Sequence, residues 1–439
     1  MNAVATRRVA PANAQSFLTL FERRRSGFGD SQMRAEAAAH LREAGLPTRR
    51  VEAWKYTDLR LLTGAALADT PPVVAPADAQ ALFDSLDLAS AGLGDADRLV
   101  FVNGRFDATL SRQPNGIGIE LGASHGVLAR PETHPLVALN TMLTDGGARI
   151  HVAAGTDAGR LLLILLGTPG SDQPGDPAMA GHEMVSSHPR FSVLLEAGAR
   201  LSLLEIAHGA GLYLNNPVLE VTVHDDAHLT HVLLQDEGRQ ALHFSTVYAD
   251  VGQRAAYDSF SLALGGRLAR HEVHARLQGA NGEVQINGAQ LLSGQQHADL
   301  TSVIAHDAPS CNSRQTVKNV LSDQSRGVFQ GKIVVARIAQ KTDGYQMNQA
   351  LLLSDTAEID SKPELEIYAD DVKCSHGATA GALDENQLFY LRSRGVPVHE
   401  ARAILVRAFL ADALALIDDE AVRGLLERAV DQSWNREVA

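Results

Sequence analysis

Between residues 191 and 383 the chain carries short runs in which apolar and polar residues alternate. FSVLLEAGARLSLLEIAH, LEVTVHDDAHLTHVLLQ and ADLTSVIAHD are examples, each broken by Gly, Ala, Asp or Asn. Alternation with period two places the apolar side chains on one face of an extended chain, so these runs predict half-buried strands. The breaks recur at roughly fourteen to fifteen residues in the later part, and at about double that earlier. No helical pattern intervenes, which excludes strand–helix–strand units. The pattern permits either a β-sandwich or a stacked solenoid such as a β-helix.

The flanks read differently. Asn13 is placed to cap a helix bearing Phe17, Leu18, Leu20 and Phe21. Met33, Ala37 and Leu41 fall at i, i+4 and i+8 of a second helix, stopped by Gly45 and Pro47. Trp54 and Tyr56 follow within VEAWKY, and such aromatics serve best as a lock between the N-terminal helices and the core. Residues 68–77, rich in Pro and Ala, read as a linker. LVFVNGRF predicts strand, Asn-Gly turn and strand, and 161–166 a buried strand. Residues 168–189 are dense in Gly, Pro, Ser and Asp and predict an exposed loop. After Asp384 the period becomes helical, with a short helix to Gly395, then patterns over 399–417 and 418–430. Their broad apolar surface requires burial, against either the chain's own core or a partner. The expected layout is an N-terminal helical region over 1–95, a β core over 96–383 and a helical domain over 384–439.

Composition narrows the class. A hydrophobic fraction of 45% and a charged fraction of 21% are those of a globular protein. At 439 residues the chain exceeds one ordinary core. A net charge of −13 argues against a nucleic-acid partner. Two cysteines give no disulfide framework and suit a reducing cytoplasm. Arg7-Arg8 is followed by VAPANAQ rather than the apolar core of an export signal. No apolar run approaches the ~18 residues of a membrane span. A soluble, cytoplasmic protein with no membrane partner is expected.

Few residues carry chemistry. Cys374 and His376 lie two apart in KCSHGATAG and, on a strand, share a face. Thiolate and imidazole form a soft donor pair suited to iron–sulfur or zinc chemistry, although such metals want about four ligands. A buried Cys beside a hydrogen-bonded His is the commoner use of such a pair. Cys311 reads as a small buried hydrophobe. His224, His228 and His231 crowd HDDAHLTH, with His231 on the opposite strand face from the other two. GVFQGKI, at 327–333, lacks the loop length and hydroxyl of a phosphate-binding loop, so no ATP binding by this chain is expected. Asp250, Asp258 and Glu283 could serve a β-helix glycosidase only if paired on one face, and 5% aromatics is poor for a sugar cleft. Asp370, Asp371 and Glu385, near His376, read as solvated strand-end acids.

ADDVKCSHGATAG with DENQLFYLRSRG (384–395), CNSRQTVKNVLSDQSRGVFQGKI (311–333), KTDGYQMNQALLLSDTAEIDSKPELEIYADD and LPTRRVEAWKYTDL (46–59) together resemble the SufB/SufD family. Members of that family are subunits of the SufBCD iron–sulfur cluster assembly complex. The likeness is strong from Cys311 onward and patchy before it. It implies a mainly β chain, a right-handed parallel β-helix between helical domains, and a non-catalytic scaffold role. It implies a SufB-type partner and a SufC-type ATPase docked on the C-terminal helices. Monomer or homodimer stays open for the chain alone, though the ends of a β-helix invite pairing. The likeness also implies that His376 lies at the subunit interface, where a transient iron–sulfur cluster shared with the partner is built, with Cys374 in support. Flavin use stays open. A SufB-like sulfur-accepting scaffold and a purely structural adaptor are the alternatives.

Overall fold

The computed structural model describes residues 12–28, 31–69, 74–114, 116–122, 125–144, 146–169 and 183–438. From 147 to 381 successive strands alternate between two sheets, so the chain winds as a parallel β-solenoid of about seven turns. The first sheet runs from Arg98–Val102 through Asp157–Gly167 and four further strands to Asn312–Leu321, Asp343–Leu352 and Lys373–Gly381. The second ends with Arg326–Val335 and Glu358–Ile367. From His228 onward each turn measured along the first sheet takes 27–31 residues, as the pairs His228↔Ala256, Ala256↔Glu283, Glu283↔Asn312, Asn312↔Asp343 and Asp343↔Lys373 define. The shorter spacing in the sequence is therefore one strand and one corner, half a turn. A solenoid, not a sandwich, satisfies the alternation.

One corner repeats a left-handed residue in coil after coil: Asp226, Arg254, Asn281, Ser310 and Lys341, with φ between 53° and 62°. The cost to a side chain there is offset by a hydrogen bond to the next coil. The N–H groups of Asp226, Arg254 and Ser310 donate to the carbonyls of Gln253, Ala280 and Gln340 at 2.8–3.0 Å.

Alternation sorts the side chains. In the early coils the inward residues are apolar, including Leu203, Leu229, Val247, Val273 and Ile286. Outward residues of the first sheet, such as Leu204, Val232, Phe260 and Leu291, are covered by helices. The helices are α1 (Gln15–Arg24), α2 (Ser31–Ala44), α3 (Pro76–Asp84), α4 (Pro135–Leu143), α5 (Glu385–Ser393), α6 (Val398–Leu414) and α7 (Glu420–Val438). Val406, Leu410 and Leu414 of α6, and Val422, Leu425 and Leu426 of α7, lie in that cover. Most of the apolar face of the tail is thus buried on the chain's own sheet. Phe17, Leu20 and Phe21 of α1 join Ala37 and Leu41 of α2 against Phe244, Leu242 and Leu268 beside the second sheet.

Several local expectations change. Asn13 does not cap α1: its side-chain amide donates to the Leu46 carbonyl at 2.7 Å, and Ala14 takes the cap position. The segment read as a linker contains the first residues of α3, with Pro76 preset for a first helical turn. Of the loop expected over 168–189, residues 170–182 lie outside the described residues, as do Arg7-Arg8. Val185–Ser187 is not exposed loop but a buried strand paired with Tyr213–Asn215. LVFVNGRF forms the expected hairpin, with Asn103 and Gly104 both at positive φ.

Candidate functional site

The last coil differs from the rest. Lys373–Gly381 and Glu358–Ile367 are the terminal strands of the two sheets, and most of their residues are exposed or half-buried. Among the described residues neither has a strand beyond it. The solenoid is therefore open at this end, offering unpaired backbone groups for strand addition.

Cys374 and His376 sit on this edge. In parallel register Cys374 pairs with Gly344 and His376 with Gln346, so both point toward the solenoid interior. The sulfur of Cys374 lies 3.4 Å from where a Gly344 Cβ would stand, and it packs near Ile333, Val335 and Ala369. Burial pushes its thiol up, against weaker help from the Gly344 backbone. His376 shares that face but is exposed, because no further coil covers it. The strand thus presents one accessible imidazole and one half-buried thiol. As a test of fit to an iron–sulfur cluster, this is a partial donor set: one imidazole ligates iron, but a cluster needs about four ligands.

Toward this end the interior turns polar. Gln315, Gln346 and His376 occupy one register column in three successive coils. Ser302, His306, Ser313, Asn319 and Asn348 are also buried there. Burial lowers His306 to about 4, and its Nε2 lies 2.9 Å from the Ser313 hydroxyl.

The other candidates fall into structural roles. Cys311 is fully buried, its thiol pushed up by desolvation and donating to the Gly279 carbonyl at 3.3 Å. His231 is buried between Glu205 and the Tyr257 hydroxyl, at 3.0 and 3.1 Å. His228 lies 2.7 Å from Asp258, and His224 stands in the preceding corner, so the three do not converge. Asp250 lies on the second sheet; Asp258 and Glu283 share the outer face of the first, diagonally placed on adjacent strands, and Asp258 is engaged by His228 at 2.7 Å, so the three do not converge on one site. Asp370, Asp371 and Glu385 are exposed.

A buried network was not legible beforehand. Arg270, Glu272 and His274 alternate along Leu268–Leu277 on the outer face of the second sheet. Arg270 donates to Glu272 through Nε at 3.0 Å and Nη2 at 2.8 Å, and His274 Nε2 lies 2.9 Å from the same carboxylate. His134 Nε2 approaches Glu272 at 3.3 Å, and Trp54 stacks 4.1 Å from the Arg270 guanidinium. His134, Glu272 and His274 could meet at a cation, but two features oppose that. His134 Nδ1 already accepts from the Val137 N–H, which leaves its proton on Nε2, and Arg270 already neutralises the carboxylate. The network locks the N-terminal segment to the solenoid. RHEVH signals a charged strand face; what covers it is not encoded locally.

The chain is thus a parallel β-solenoid with a helix-covered flank and one open end that carries the exposed imidazole of His376. The chain matches the SufBD core domain model of SUF-system FeS cluster assembly over residues 178–409. It is 34% identical to the iron–sulfur cluster assembly protein SufD of Escherichia coli K12, over 88% of this chain and 90% of that one. A SufBD family protein of Synechocystis is 30% identical over 92% of each chain. A chloroplastic protein of Arabidopsis thaliana is 36% identical over 54% of this chain and 51% of its own. The chain belongs to the SufBD family of iron–sulfur cluster assembly proteins and is a homologue of SufD.

Proposed function

We propose that this chain is a non-catalytic scaffold that pairs through its open solenoid end with a SufB-type subunit. A nascent iron–sulfur cluster, the cargo, is held at that junction with His376 as this chain's ligand. The observation that carries the reading is the exposed imidazole of His376 on the interior-facing side of a terminal strand whose outer edge has no partner strand among the described residues. A cluster there draws its remaining ligands from the partner, and a junction that moves can release it. The same free edge accepts a second copy of the chain when the partner is absent. Both thiols are raised by burial, which disfavours the thiolate a sulfur acceptor needs and speaks against the SufB-like alternative. Their unpaired state also fits a reducing cytoplasm.

His376→Ala in the reconstituted complex is expected to leave size-exclusion behaviour intact while cluster yield, read by visible absorbance and iron content, collapses. A normal yield would make this chain a structural adaptor only.

The C-terminal helices serve a SufC-type ATPase through the part of their surface the solenoid does not cover. Phe389 and Tyr390 of α5 and Ile404 of α6 stay exposed, Phe389 by 71%. Phe389→Asp combined with Ile404→Asp is expected to abolish co-purification of the ATPase subunit and spare pairing at the open end. Retention of the ATPase by that variant would move its docking site elsewhere.

A further inference from the structure

We propose that Gln346 is a positioning residue for His376. The proposal rests on the reading of His376 as a cluster ligand for its purpose, but its geometry stands independently.

Gln346 is fully buried, and neither its amide oxygen nor its nitrogen has a hydrogen-bond partner. A buried, unsatisfied amide is costly and calls for a function or a missing partner. Its register neighbour toward the open end is His376, and its neighbour inward is Gln315. Strands stack about 4.8 Å apart, so side chains on the same face of successive coils come within hydrogen-bond reach. This interior already uses such bonding: Asn319 Nδ2 donates to Asn348 Oδ1 of the next coil at 2.7 Å. Space for the amide is kept by Gly331 on the opposite sheet. A Cβ there would lie 3.0 Å from Gln346 Nε2 and 2.7 Å from Phe329 Cζ.

The column has a direction. The Ser302 hydroxyl donates to Gln315 Oε1, which keeps a second lone pair for the Gln346 NH₂. In the proposed arrangement the Gln346 NH₂ turns to that lone pair and Gln346 Oε1 turns outward, as an acceptor for one ring N–H of His376. An acceptor at one nitrogen fixes the neutral tautomer and leaves the other nitrogen's lone pair free for iron. Cys374, on the same strand face and paired with glycine, provides no such acceptor.

The test is made on the full chain with ¹⁵N-labelled histidine at about pH 8, where a free imidazole is neutral. The His376 signals are identified by their loss in His376→Ala. One dominant tautomer is expected in the wild type, and a mixture in Gln346→Leu, which keeps the volume but removes the acceptor. Gln346→Glu, which keeps the acceptor, is expected to restore the single tautomer. In the complex, Gln346→Leu is expected to lower cluster yield about tenfold, as loss of an outer-shell partner does at metal sites. An unchanged His376 tautomer in Gln346→Leu would overturn the proposal, even if cluster yield fell. Normal yield in His376→Ala would instead remove the cluster-ligand reading, while the tautomer comparison still decides the positioning.

Discussion

Glu272→Ala is expected to cost about 3–5 kcal/mol of folding stability, the range for breaking a buried ion pair by removing one partner. Burial alone would push the Glu272 carboxyl up, yet Arg270 and His134 beside it hold it well below the usual carboxylate range. The carboxylate collects Arg270, His134 and His274 at 2.8–3.3 Å, with almost none of its surface in water. Arg270 also donates to Asp299, which accepts from the Thr57 hydroxyl, and it carries Trp54 on its face. Truncation would leave a buried guanidinium with one carboxylate instead of two, and two imidazoles facing a void. The N-terminal segment should then loosen, because Trp54 and Thr57 are among its anchors. Glu272→Gln, which keeps shape and loses charge, should fall between wild type and alanine. Urea unfolding followed by circular dichroism measures the difference. A loss below about 1 kcal/mol for Glu272→Ala would mean that the network contributes no more than a surface pair.

Acidification should destabilise the fold strongly, and the cause is buried neutral histidine. Desolvation lowers His188 and His271 to about 3, and His297 and His306 to about 4. An unfolded histidine titrates near 6.5, so between those values the unfolded chain binds more protons than the folded one. Stability therefore rises with pH in this window. It is fully present above about 6.5 and is lost as pH falls toward 3–4. At pH 5 each such histidine costs about 2 kcal/mol, and four together about 8 kcal/mol, comparable to the whole margin of a typical domain. His243 acts in the other direction. Desolvation lowers it, but Glu237, 2.8 Å away, raises it overall, so its contribution is present at low pH and fades as pH rises. The urea midpoint should drop sharply between pH 7.5 and 5. His271 has neither ring nitrogen partnered, so His271→Leu should flatten that slope at little cost near neutrality. An unchanged or higher midpoint at pH 5 would refute the account.

The interior of the solenoid explains why some of this was readable and some was not. Val284, Ile286, Val247 and Val273 alternate with outward residues, and that alternation gave both strand identity and the buried face. The Asn103-Gly104 turn and the Asp384 cap of α5 are local chemistry and lie where their residue types place them. The corner residues were less transparent. Arg254 and Lys341 adopt left-handed φ although neither is a usual turn former, because the neighbouring coil supplies the compensating bond.

Alternation cannot distinguish a sandwich from a solenoid, since both bury one face of each strand. The choice is made by pairing between residues 27–31 apart, such as Gln346 with His376. The apolar stripes of α6 and α7 were equally ambiguous, because an unpaired helix face looks the same whether it meets its own sheet or a partner. Here it meets Leu204, Val232 and Leu291.

Cys374 and His376 mark the division most clearly. Their spacing placed both on one strand face, and the surrounding strings carried the family. That the thiol is half-buried while the imidazole is open follows from their positions in the last coil. That Gln346 lies beneath the imidazole follows from a register thirty residues long. Local sequence determined the strands, the donor pair and the helical tail, because those depend on contacts within a few residues. Exposure, the Arg270–Glu272 lock and the polar column were decided by tertiary structure, because each requires segments far apart in the chain to meet.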